Sequence, residues 1–227
     1  MKTYLAMAVL AFASAAASAD VLPLFSTGTS VSAGQDSNWS FTQGLGTGSY
    51  SAAYVVTPGS YPLNGAWSND TPASSWIAPQ ASYANGQSDG MYTTYTYQTT
   101  FTIGAGESAA SARVSGAWQA DNIGIQITLN GHPVTVSSLP GANGGAGFQS
   151  WSAFAIDSGF QQGVNTLQFT VLNTFTNAAN SGNPSGLRVQ FDSATVSPVP
   201  EPESYALLGL GLVGLVLARR SRRGASV

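Results

Sequence analysis

The residues able to carry chemistry in this chain are few and widely spaced. His132 is the single histidine, it directly follows an Asn130-Gly131 pair, and there is no cysteine. A general base needs a nucleophile and an orienting partner within about 3 Å, so His132 reads as an exposed turn residue unless the fold supplies both. Zinc sites built from His and Cys clusters are excluded in practice, and thiol catalysis is excluded outright. Asp121 and Asp157 each fall at the end of a strand-like stretch and are the two carboxylates to weigh as a glycoside-cleaving pair. Asp121 serves equally well as a turn cap, through its side-chain bonds to nearby backbone.

The most suggestive binding signal is the loop "YPLNGAWSNDTPASSWIAPQASY", which sets Tyr61, Trp67, Trp76 and Tyr83 among Asn, Asp, Ser and Pro. Exposed indoles stack on the apolar faces of sugar rings, and Asn69 and Asp70 offer hydrogen bonds to hydroxyls. Trp67, Asn69, Asp70 and Trp76 are therefore the candidate glycan-binding residues. The competing assignment makes Trp67 and Trp76 plugs that close one end of a core. Asn38-Trp39-Ser40 and Asn69-Asp70-Thr71 match the glycosylation sequon, a pattern common by chance.

The elements that must position these residues read as strands. Tyr95, Tyr97, Thr99, Phe101 and Ile103 alternate with Thr96, Gln98, Thr100 and Thr102, the period of a strand with one buried face. Ala112, Val114 and Trp118 keep even spacing before Asp121-Asn122, and Ile123, Ile125, Ile127 and Leu129 alternate again. Asn130-Gly131 between such runs signals a hairpin, because both turn positions accept positive φ. The spacing predicts a returning strand over Val134–Val136, with further strands at Leu167–Val171 and Leu187–Phe191. Weaker strand signals cover Trp39–Thr42, Tyr50–Val56 and Phe154–Ile156. No window between Asp20 and Pro200 sustains a 3.6-residue apolar period, so the expected fold is an all-β sandwich or jelly roll.

Charge sharpens the functional limits. Between Asp20 and Pro200 there are eight acids and only two bases, Arg113 and Arg188, a net of −6. Without a basic patch to neutralise phosphates, nucleic acid is not an expected partner. The surface is solvated instead by Ser, Thr, Asn and Gln, while the apolar content is too high for a disordered chain. About 180 residues are enough to bury about 70% of the unfolded surface, so packing can hold the domain without disulfides.

The run "SARVSGAWQADNIGIQITLNGHPV", with "FAIDSGFQQGVNTLQFTVLNT" and "NPSGLRVQFDSATV", resembles the galactose-binding-like jelly roll. Asp121-Asn122, Leu129-Asn130-Gly131, Gly163 with Asn165 and Leu167, and Gly186-Leu187 carry that resemblance across about half the chain. It implies a sandwich of the kind found in sugar-binding modules beside glycoside hydrolases, often with a structural calcium. No D-x-D-x-D run identifies calcium ligands, and no other cofactor is expected.

Both ends look like targeting signals. Met1 and Lys2 precede an apolar run from Leu5 to Ala17, and Ala17-Ser18-Ala19 supplies the small residues a signal peptidase prefers, so cleavage is expected between Ala19 and Asp20. At the other end, Pro198, Pro200 and Pro202 fence off a fourteen-residue apolar run, Tyr205 to Ala218, followed by Arg219, Arg220, Arg222 and Arg223. At 1.5 Å per residue that run spans about 21 Å against a hydrocarbon core of about 30 Å, and it lacks the polar face of a core helix. The arginines should stay on the cytoplasmic side as a stop-transfer cluster, leaving the β domain on the far side.

Pro200-Glu201-Pro202, the apolar helix and the Arg cluster together resemble the PEP-CTERM sorting signal of exopolysaccharide-producing Gram-negative bacteria. That resemblance implies processing by an exosortase near the Pro-Glu-Pro motif. The organisation expected is a signal peptide at 1–19, a β-sandwich at 20–197 and the sorting signal, with a single transmembrane helix, at 198–227. The protein would be exported, held transiently in the inner membrane, and then surface-attached or released among extracellular polysaccharide. A non-enzymatic matrix protein that binds polysaccharide is the favoured reading; a secreted glycan hydrolase and a calcium-stabilised adhesion module are the alternatives.

Overall fold

A computed structural model of the chain describes residues 18–83, 88–144, 146–174, 182–199 and 202–223. Residues 1–17 of the signal peptide expected at 1–19, and Pro200 and Glu201 of the Pro-Glu-Pro motif, lie outside the described residues, as do the side chains of Pro202, Arg220, Arg222 and Arg223.

Among the described residues, eleven strands and a short 3-10 turn at Ala142–Gly144 precede one α-helix: β1 Asp20–Val21, β2 Gly34–Gln43, β3 Ser51–Val55, β4 Ile77–Ala78, β5 Thr93–Ile103, β6 Glu107–Asp121, β7 Ile123–Leu129, β8 His132–Pro133, β9 Ser152–Ile156, β10 Gly163–Asn173, β11 Gly186–Pro198, and α1 Pro202–Arg223. The alternation read from the sequence appears directly in β5, where Tyr97, Phe101 and Ile103 point inward while Thr100 and Thr102 face solvent. The Asn130-Gly131 turn has positive φ at both residues, 52° and 79°, as the hairpin requires.

Every strand pair named here is antiparallel, and the strands follow one path, β8-β7-β10-β5-β2-β3-β4-β11-β6-β9, with β1 added beside β11. The two-residue β4 pairs with both β3 and β11 and carries the path from one layer to the other. The path thereby curls into a sandwich. Phe169 of β10 meets Trp118 of β6 at 5.3 Å and Phe154 of β9 at 5.5 Å between ring centroids, and this aromatic contact joins the two layers. Leu167, Ile127, Leu187 and Val189 fill the same core, each fully buried. The all-β sandwich expectation is met.

The return strand is the main local difference. Pairing after the hairpin stops at Pro133, opposite Thr128, and Val134 makes one further bond to Ile127 O at 2.9 Å. Val134, Val136 and Leu139 instead tuck against the core as an irregular segment. Pro133 has no N–H to extend the ladder, which explains why pairing ends there.

Candidate functional site

The loop singled out as a glycan platform folds inward. Trp67 and Trp76 are buried at 4% and 0% exposure, with ring centroids 4.3 Å apart, in a second apolar cluster with Val56, Leu63, Ala78 and Tyr83. Their N–H groups are spent internally: Trp67 Nε1 donates to Asp121 Oδ2 at 2.7 Å and Trp76 Nε1 to Ser68 O at 2.9 Å. The expectation of exposed indoles is corrected, because burying two large rings outweighs leaving them for a ligand once each polar tip has an acceptor. Asp70 Oδ1 accepts from Trp76 N at 2.9 Å, and burial raises its pKa against the lowering effects of that bond and of Arg188. Asn69 remains exposed at its side chain.

Behind Trp67 lies a buried polar network. Asp89 accepts from Tyr83 Oη and Gln80 Nε2, and its Oδ2 also accepts from Ser185 N at 2.7 Å. Ser185 Oγ donates to Asp121 O at 3.2 Å, linking the two aspartates. Burial pushes the Asp121 carboxyl up to about 7, the Asp89 charge adds to the rise, and the Trp67 bond opposes it. Asp121 Oδ1 and Asn173 Oδ1 are buried acceptors without a hydrogen-bond donor. Calcium takes six to eight oxygens. Among the described residues no three His, Cys, Asp or Glu gather, and the Asp89 oxygens already have donors, so this network does not fit a calcium cage. A proton on Asp121 is the smaller answer to one orphaned oxygen.

Asp121 and Asp157 do not face each other. Asp157 follows Ile156, which pairs with Val114, seven residues before Asp121 on the same strand. At about 3.3 Å per residue that is roughly 23 Å, beyond the separation of either glycosidase geometry. Asp157 instead lines a cleft of about 430 Å³ with His132 and Ser158, between the two free ends of the strand path. Ser158 Oγ donates to Asp157 Oδ1 at 3.1 Å, and His132 is exposed at the start of β8, just past the Asn130-Gly131 turn.

A second cleft, about 520 Å³, opens on the outer face of β2, β3 and β5. Its origin is a register break: Gln35 pairs with Tyr54 and Ser40 with Ala52, so β2 carries three more residues than β3 in the same interval. Asp36 pins that bulge by accepting from Gly28 N at 2.7 Å, Ser30 Oγ at 2.8 Å and Asn38 N at 2.9 Å. The walls are hydroxyls and amides, including Asn38, Ser40, Gln98 and Thr100, with the ring of Tyr50. Ser40, Gln98, Gln168 and Thr128 lie directly opposite one another across β2, β5, β10 and β7, forming a polar row. Gln168 Nε2 donates to Tyr50 Oη at 2.7 Å and Thr128 Oγ1 to Gln168 Oε1 at 2.9 Å, which fixes the row.

The other layer bears an exposed indole, Trp151, at 42% exposure. Arg188 backs it, with Cζ 4.9 Å from the ring centroid. The guanidinium is itself held by Ser74 Oγ at 2.9 Å, Ser74 O at 3.1 Å, Thr71 Oγ1 at 3.0 Å and Asn69 O at 2.5 Å. Sequence reasoning missed Trp151, whose only signal was polar neighbours, Gln149-Ser150 and Ser152.

At the C-terminal side, β11 runs to Pro198 and α1 begins at Pro202. The described apolar side chains of α1, Leu207 through Leu217, stay exposed, so this helix is not part of the sandwich core. Residues 198–223 match the family model of the PEP-CTERM protein-sorting motif. The chain carries that sorting motif. The motif marks an exported protein of Gram-negative bacteria and implies processing by an exosortase. No curated protein matches the chain. Among solved structures, it is similar to CBM35 from Paenibacillus barcinonensis, at 15% identity over 66% of this chain and 97% of that one, with a TM-score of 0.28.

The transmembrane-helix expectation is corrected: among the described residues, no helix is long and apolar enough to cross a membrane. α1 has 22 residues, but its apolar part is the short run read from the sequence, with Glu203 at one end and arginines at the other. Arg219, the first of the cluster, is exposed.

Proposed function

We infer that the protein is an exported, non-enzymatic surface or matrix protein that binds polysaccharide in the cleft between β2, β3 and β5. One observation carries the reading: the cleft walls are neutral hydroxyl and amide groups around the Tyr50 ring, and the carboxylate among them, Asp36, is spent on its own loop. Sugar hydroxyls are recognised by such groups, while a tyrosine ring offers a stacking surface. Cleavage after Ala19 would leave Asp20 at the start of β1, and processing by the exosortase near Pro200-Glu201-Pro202 would release the domain from α1. Export, transient retention at the inner membrane and delivery among extracellular polysaccharide follow in that order.

Trp151 supports a second location for the same activity, since Arg188 holds one face of the indole and leaves the ring partly open. Affinity electrophoresis in gels containing exopolysaccharide separates the two. In the favoured case, Tyr50→Ala loses at least tenfold in affinity, about 1.4 kcal/mol, and Trp151→Ala retains it. The opposite pattern moves the site to β9, and unchanged retention in both variants rejects polysaccharide binding by either surface.

A further inference from the structure

The sorting motif begins inside the fold. Its first residue, Pro198, is the last residue of β11 and pairs with Glu107 at the start of β6, while Val199 N donates to Gly106 O at 2.8 Å. The ordered sheet therefore delivers the chain to Pro200 with no spacer. The predicted N-terminal cleavage point emerges from the same end, because Asp20 pairs with Val196 and Val21 with Thr195. At about 3.4 Å per residue along β11, Asp20 and Val199 lie within roughly 12 Å of each other along the sheet.

The surface surrounding this exit is built of small residues, with the carboxylates of Asp20 and Glu107 at its edge. The turn Gly104-Ala105-Gly106 is exposed, and the adjacent Glu107 turns its carboxylate onto Gly104 N at 2.5 Å. Val21 and Val199 flank it, 80% and 47% exposed. The sheet ends one residue before Pro200, so an enzyme that acts on the Pro-Glu-Pro segment works close to this turn.

We propose that the face formed by the Gly104-Ala105-Gly106 turn, Val21 and Val199 docks against the membrane-embedded exosortase while the Pro-Glu-Pro segment is processed. The occupant is fixed by chain continuity: an enzyme reaching Pro200 from the membrane side meets this end of the sandwich before any other part. Seating the turn flush against the enzyme would place the motif without a flexible search. A bulky side chain at Ala105 would hold the enzyme away from the motif, and added slack beyond Val199 would remove the obstruction. This inference rests on exosortase processing and is independent of the polysaccharide reading.

The test uses the full chain in cells that contain the exosortase, with intact mass reporting loss of Arg219 to Arg223 over time. Conversion of the parent chain checks the processing on which the inference rests. Ala105→Trp and Ala105→Arg should each slow conversion at least fivefold. Inserting six Gly and Ser residues between Val199 and Pro200 should restore both variants to the parental rate. Melting curves that match the parent show that the turn substitutions leave the fold intact, as their exposed position predicts. Parental conversion rates in both Ala105 variants overturn the proposal. So does slow conversion that persists with the spacer, which would mean that the face meets lipid or a second copy instead.

Discussion

Trp67 donates its indole N–H to Asp121 Oδ2 at 2.7 Å, across 54 residues of sequence, and the bond is buried at both ends. This contact turns a loop that looks like a ligand platform into a lid over a buried carboxylate. It ties the second apolar cluster to the end of β6. The energetic weight of the pair lies in desolvation: for a carboxylate this deep, burial outweighs the hydrogen bonds that favour its charged form.

Stability should therefore fall as pH rises. Asp121 has a pKa of about 7 in the folded chain against an ordinary value of 3.8, so the folded state keeps a proton that the unfolded chain releases between those values. The stabilisation is complete below pH 4 and is lost as pH rises toward 7, by at most about 1.4 kcal/mol per pH unit. Burial raises Asp89 in the same direction. Melting temperatures measured from pH 4.5 to 8 should decline in the parent and decline less in Asp121→Asn. Equal slopes would place the titration elsewhere.

Gly186 is the floor under Trp67. A Cβ at this position would lie 2.3 Å from Trp67 Cη2, and a fully buried ring has no free space to retreat into. Gly186→Ala should cost about 2 kcal/mol by overpacking. Trp67→Leu opens that space, so the double variant should lose less than the sum of the single losses, and urea denaturation provides the coupling energy. Simple additivity would count against a direct clash.

Arg188 is fully buried, and its donors hold the loop around Asn69, Thr71 and Ser74 on the outside of β11. Removing the guanidinium orphans several acceptors together and frees Trp151 from its backing. Arg188→Met should lower stability by about 3 kcal/mol and shift tryptophan emission to longer wavelength as the Trp151 environment becomes wetter. Arg188→Lys keeps the charge without the planar fork and should fall between the two. A parental melting curve for Arg188→Met would show that the loop stands without it.

What could be read from the sequence follows the range of the interactions involved. β5 and β7 announce themselves through local alternation, and Asn130-Gly131 through its own backbone preference, so these were legible. β1 and β4 are two residues each and exist only through pairing with strands distant in sequence, β1 with β11 and β4 with β3 and β11, which leaves no period to read. Trp67 and Trp76 gave the right residue types in the wrong environment, because Asp121 and Ser68 decide their burial and neither bond has a local signature. The polar cleft depends on a three-residue register break between β2 and β3, a relation between strands that Gln35 to Ser40 alone does not encode.

If the unprocessed chain is held at the membrane as proposed, the apolar run of α1 sets how firmly. Fourteen apolar residues cover about 21 Å as a helix, short of a hydrocarbon core of about 30 Å, so the proposed hold is a weak one. Inserting six leucines after Leu217 lengthens the run to twenty residues, about 30 Å, and matches the hydrocarbon core without moving the Arg cluster relative to the end of the helix. In cells lacking the exosortase, the parent chain should be partly extracted from membranes by alkaline carbonate and the lengthened chain should resist extraction. Retention of the parent as firmly as the lengthened variant would show that something other than span length holds it, and would remove the physical basis for a temporary stop.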